Sequence, residues 1–252
     1  MFALAAFFAL TALLYASVGF AGGSTYNALL ILAGTDPSVF PIVALACNLI
    51  VAVGGTVGFA RAGLINWRRI WPMLALSVPA AWLGGIIPIS KALFILMLGL
   101  SLLAASVLLL IQRAPKDAEA APRAGAAGLL ASGPIGLLSG LVGIGGGIFL
   151  APVLHLVRWD NARRVAAAAS VFILANSIGG LIGQIMKAMA GKGAPVEEVT
   201  AYWPLAVAVL IGGQIGSRLA IGRLSPGLIR RLTALLILYV AMRLLWQWWT
   251  GA

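Results

Sequence analysis

The sequence predicts an all-α polytopic membrane protein made of two inverted-topology repeats. Each repeat carries a glycine-broken or re-entrant half-helix, for about eight full spans plus two half-helices. Three observations predict it. Of 252 residues, 62% are hydrophobic and 9% are charged, and the mean hydropathy is +1.07, so the chain lacks the polar surface a soluble domain needs. Apolar runs follow one another along nearly the whole chain. Finally, the chain echoes itself: Gly19, Gly22, Gly23, Leu30 and Leu32 answer Gly143, Gly146, Gly147, Leu154 and Leu156 at constant spacing.

The apolar runs of the first half fall at about 2–20, 24–33, 38–60, 69–88 and 91–112, and those of the second at 125–143, 147–157, 162–187, 201–221 and 226–249. This divides the chain into a first transmembrane repeat over 1–112, a cytoplasmic linker over 113–124 and a second repeat over 125–252. The linker, with Arg113, Lys116, Asp117, Glu119 and Arg123, is the only polar stretch of any length. Trp71-Pro72 opens a helix in one half and Trp203-Pro204 opens its counterpart. The N-terminus has no basic leader region and no small-residue cleavage site, and reads as a retained first helix.

The pieces after the glycines, Ser24 to Ala33 and Ile148 to Val157, are about half the roughly 20 residues a span requires. Short, glycine-interrupted segments at matching positions of two halves point to the binding site of a secondary transporter. A helix that begins there offers free backbone N–H groups and the positive end of its dipole, which suits an anion. The candidate substrate-binding residues are therefore Gly22, Gly23, Ser24, Thr25, Tyr26 and Asn27 at the first break and Gly145, Gly146 and Gly147 at the second. Cys47, Asn48 and Asn176, on the helices that follow, join them as uncharged groups at membrane depth. Valine at Gly23 or Gly147 is expected to block the approach to the backbone without loss of stability. Gly84-Gly85 and Gly212-Gly213 are expected to serve helix packing.

An odd number of passes per half inverts the second copy, and the charges agree. If Arg61, Arg68 and Arg69 are cytoplasmic, then Arg113, Lys116, Arg123, Arg158, Arg163, Arg164, Arg218, Arg223, Arg230 and Arg231 share that side. Only Lys91, Lys187, Lys192 and Arg243 fall outside, and both termini are placed outside too. Trp246, Trp248 and Trp249 read as an interfacial belt toward which Arg243 snorkels. Asp36-Pro37 and Asp160-Asn161 precede helices in matching positions and are expected to cap them.

The six acids, Asp36, Asp117, Glu119, Asp160, Glu197 and Glu198, all fall in loops or at helix ends. With a single histidine, His155, and a single cysteine, no metal site, cofactor or disulfide is implied, and an intramembrane enzyme lacks its catalytic groups. The net charge of +11 is spread singly or in pairs between apolar runs, so nucleic acid is not a partner. The expected partners are the lipid bilayer and a small anionic substrate; a homo-oligomer stays open.

The doubled breaks, the central linker and the late Gly212-Gly213 to Gly216 pattern together resemble the TauE/SafE sulfite exporter family over essentially the whole chain. The resemblance implies a bacterial inner-membrane permease that exports sulfite, sulfoacetate or a related sulfur-containing anion. The alternative reading is a transporter of another small solute, such as an amino acid or a different organic anion. The first break departs from three consecutive glycines, reading Ala21-Gly22-Gly23 before Ser24.

Overall fold

The computed structural model describes residues 1–17, 19–36, 38–111, 126–219 and 226–250. The expected linker 113–124 lies outside the described residues, as do Pro37, Arg223 and the side chains of Arg218 and Arg230.

Every regular element among the described residues is a helix: α1 (Phe2–Ala16), α2 (Gly23–Leu32), α3 (Phe40–Arg61), α4 (Trp67–Ile86), α5 (Lys91–Ile111), α6 (Ala126–Val142), α7 (Gly147–Leu156), α8 (Ala162–Met189), α9 (Val196–Thr200), α10 (Trp203–Leu219) and α11 (Pro226–Thr250). The protein is thus an all-helical polytopic membrane protein. Among the described residues α3, α5 and α8 are long and apolar enough to cross a bilayer, with mean hydropathies of 2.2, 2.8 and 2.0. The helices α1, α6, α7 and the Trp203–Ser217 part of α10 are shorter apolar pieces. Large apolar side chains such as Leu76, Leu83, Ile182, Ile185, Ile211 and Ile215 stand exposed on the outside, where lipid replaces water.

The two ten-residue helices, α2 and α7, would each rise about 15 Å, half the hydrocarbon thickness. Irregular backbone at membrane depth survives only where protein covers it. Here residues 21–28 and 139–152 are buried without interruption.

The helices interlock across the sequence. α1 packs along α10 and α6 along α4, while α3 lies against α8 and α5 against α11. Glycine makes the close approaches. A Cβ at Gly212 would overlap the Ala9 carbonyl and one at Gly216 the Leu13 carbonyl, which seats α10 on α1. On the other side Gly84 meets the Leu137 carbonyl, Gly136 that of Ser77 and Gly140 that of Ala81, which seats α4 on α6. Gly85 and Gly183 bring α4 equally close to α8. These are small-residue seams of the kind that hold helices together in lipid, where backbone proximity replaces the hydrophobic drive.

Two salt-bridge and cavity clusters fix which connections share an end. The Arg69 guanidinium at the start of α4 donates to the Trp159 carbonyl at 2.7 Å, pairs with Asp160 at 3.4 Å and lies 4.4 Å from the Trp159 ring centroid. The α3–α4 and α7–α8 connections therefore meet. At the other end, Asp36, Lys91, Lys187 and Lys192 line one cavity, so the α2–α3, α4–α5 and α8–α9 connections meet there.

The capping expectation is corrected. Asp160 pairs with Arg69 and Arg164, and it is Asn161 whose side chain accepts the Arg164 N–H and caps α8. Asp36 accepts the Ser38 N–H at 2.8 Å within its turn, and α3 starts from Val39 without a side-chain cap.

Candidate site between the two helix breaks

Each half-helix starts from a glycine in the left-handed region, Gly22 at φ 94° and Gly146 at φ 78°, a conformation that L side chains resist. That turn reverses the chain and aims the first N–H groups of α2 and α7 inward. Gly22 accepts from Thr25 and Tyr26, and Gly146 accepts from Phe149 and Leu150. Among the described residues the N–H groups of Gly23, Ser24, Gly147 and Ile148 have no acceptor. The half-helices end alike as well: Thr35 donates to Leu30 across Gly34, and Trp159 donates to Leu154 across Arg158, which adopts φ 50° where its counterpart is glycine.

Asn48 stands between the breaks. A Cβ on Gly23 would overlap its carboxamide, and a Cβ on Gly145 would lie 2.9 Å from its Nδ2. One side chain thus separates the first break from the second. Its Nδ2 donates to the Ile144 carbonyl at 3.1 Å. Asn27 Nδ2 donates to the Val142 carbonyl at 2.7 Å, and Gln184 Nε2 donates to the Gly140 carbonyl at 2.7 Å. The end of α6 releases carbonyls that no water can satisfy, and three side-chain amides take them. Two of those amides come from the first half of the chain.

The structure brings Gly23, Asn48 and Gly145 together with Ser177, whose Oγ would be 3.2 Å from a Gly145 Cβ. Ser177 follows Asn176 on α8 and is fully buried. Asn176 itself turns away: its Nδ2 donates to Phe172 within the same helix at 2.8 Å. Thr25 is engaged with Tyr15 Oη at 2.8 Å, and Tyr26 stacks on Phe8 with centroids 4.7 Å apart. Cys47 is a buried free thiol in the hydrophobic core.

What remains unpartnered around the breaks is uncharged. Ser24 Oγ, Tyr26 Oη, Asn48 Oδ1 and Ser177 Oγ are buried without a hydrogen-bond partner. Among the described residues no Asp, Glu, Lys, Arg or His is fully buried. The backs of the glycines are not open space, however. A Cβ on Gly147 would overlap Ile173 and lie 3.0 Å from the Ala169 carbonyl. Valine there would disturb α8 as well as the site, so the expectation of unchanged stability does not follow from this geometry.

A helical bundle that encloses two glycine-broken half-helices, with unspent N–H groups at their starts, has the arrangement of a membrane transporter. The profile of the family described as Sulfite exporter TauE/SafE matches residues 3–244. The chain is also 36% identical over 248 residues to the Probable membrane transporter protein y4hK of Sinorhizobium fredii (strain NBRC 101917 / NGR234), covering 96% of this chain and 97% of that protein. No solved structure matches it significantly. The chain belongs to the TauE/SafE sulfite exporter family.

Proposed function

We propose that this protein exports a small sulfur-containing anion, of the sulfite or sulfoacetate kind, across the bacterial inner membrane, through a midplane site between the N-termini of α2 and α7. The observation that carries the reading is the convergence of both breaks on Asn48, with the N–H groups of Gly23, Ser24, Gly147 and Ile148 unspent. Two helix N-termini supply roughly half a positive charge each, enough to favour an anion. Among the described residues no Arg or Lys is fully buried to hold it, so release stays fast. The membership in a sulfite exporter family supports the substrate class.

The same reading includes two inverted repeats with both termini outside. The exchange of partners supports it, since α1 lies on α10 as α6 lies on α4, and α2 enters and leaves from the end opposite to that of α7. With Arg69, Arg158, Arg163 and Arg164 gathered at one end, the positive-inside rule makes that end cytoplasmic.

Proteoliposomes loaded with radiolabelled sulfite, sulfate, taurine or an amino acid test this. Efflux of sulfite, or of another sulfur oxyanion, is expected to exceed that of the amino acid. It should follow an imposed voltage, which favours anion exit by about 2.3 kcal/mol per charge per 100 mV. Flux of the amino acid alone, or flux that depends on a pH gradient and ignores voltage, would overturn the reading.

A further inference from the structure

The three lysines that fall on the wrong side of the charge bias converge on one cavity. Lys91 is the first residue of α5, Lys187 stands in the last turn of α8, and Lys192 follows in the connection to α9. Together with Asp36 and Ser38 they line a space of about 270 Å³ whose floor includes Leu141. We propose that this cavity is an anion-collecting vestibule, the outer mouth through which the carried anion passes between external water and the glycine breaks. The proposal rests on the anion-export reading above.

Charge, partners and position carry it. Three lysines and one aspartate line the cavity, and that aspartate's carboxylate accepts the Ser38 N–H. The Ser38 hydroxyl and amide, and more weakly Lys91, hold Asp36 below the usual carboxylate range, so it stays ionised and occupied. Among the described residues none of the three lysines has an ion-pair partner within 4.0 Å. Positive charge accumulated on the outer side opposes the topological bias, and snorkelling does not explain lysines that border a common cavity. A positive concavity with low-dielectric walls does have a use: it concentrates anions and speeds their arrival.

The floor connects the vestibule to the site. Leu141 precedes Val142, whose carbonyl is held by Asn27 of α2. Pro41, also on the wall, touches Gly143, where a Cβ would lie 2.6 Å from the Pro41 Cα. The second break is thus one residue layer beneath.

A test independent of transport uses Ile89→Cys, on the cavity wall, in a Cys47→Ala background. Intact cells are treated with membrane-impermeant methanethiosulfonates, one bearing a sulfonate and one a quaternary ammonium. With each rate divided by that of the same reagent on a free thiol in solution, the sulfonate reagent is expected to react about tenfold faster. Combining Lys91→Gln, Lys187→Gln and Lys192→Gln should bring the ratio close to one, as should high salt. Ser38→Cys provides a second reporter should Ile89→Cys fold poorly. In proteoliposomes the same triple variant should raise the KM for sulfite about tenfold while Vmax stays within about twofold. A rate ratio that the triple variant leaves unchanged, or labelling only from the cytoplasmic side, overturns the vestibule even if sulfite is carried. A lysine-dependent ratio in a protein that carries no sulfur anion keeps the vestibule and removes the substrate assignment.

Discussion

Asn48 joins the two breaks with one carboxamide. Its amide hydrogen goes to the Ile144 carbonyl, and its oxygen stays buried without a partner beside Gly23. Its two isosteric and truncated variants should therefore behave differently. Asn48→Asp places a negative charge between two helix N-termini and removes a donor, and should reduce anion flux by at least about a hundredfold, since charge repulsion and the lost bond to Ile144 are each worth a few kcal/mol. Asn48→Ala leaves the Ile144 carbonyl unsatisfied and should lower stability by about 1–3 kcal/mol with a smaller loss of flux. Flux and detergent-extracted unfolding, measured on both, check this; equal flux loss in the two variants would make Asn48 a packing residue only. That an uncharged polar residue sits in this apolar segment was legible in the sequence. Its partner was not, because the bonded carbonyl lies 96 positions away and the need for it arises only once α6 is known to stop at Val142. Asn176 differs in its donor: the same residue type at a similar depth spends its N–H within its own helix, while its oxygen, like that of Asn48, stays buried without a partner.

At the scale of the element, apolar run lengths located the helices well, because lipid imposes both length and composition on a span. The ten-residue reach of α2 and α7 and the starts of α5 and α11 agree closely with the runs read from sequence. The one-turn helix α9 was missed; Pro195 followed by Glu197 and Glu198 in a first turn was the available signal. Which glycine of a pair faces a neighbouring backbone was not legible, since that depends on helix rotation. Gly212 and Gly213 separate on this point. Gly212→Val would drive two methyl groups against the Ala9 carbonyl and part α10 from α1, whereas a Cβ at Gly213 meets Val51, its side chain at 3.2 Å and its Cα at 3.7 Å. Thermal unfolding in detergent should show Gly212→Val losing at least about 3 kcal/mol and Gly213→Val about 1–2 kcal/mol, both by overpacking. A Gly213 variant as damaged as the Gly212 variant would contradict this seam.

At the scale of the whole molecule, the glycine echo between the halves and the spacing of the basic residues are patterns along the chain, and the sequence displays both directly. The meeting of Lys91, Lys187 and Lys192 could not be read there, since it joins three connections that are remote in sequence. The interlock of α1 with α10 and α6 with α4 has a consequence for biosynthesis. Each half leaves a ribosome with glycine seams cut for helices that the other half supplies. Until the later helices insert, Ala9 and Leu13 of α1 face lipid where Gly212 and Gly216 belong, and the end of α6 waits for amides from α2 and α3 that were made long before. Folding must then follow insertion, as assembly of two mutually incomplete bundles. Residues 1–112 and 125–252 expressed separately should each be cleared by membrane proteases, and expressed together should accumulate and co-purify. Stable accumulation of either piece alone would show that a half can close its own core.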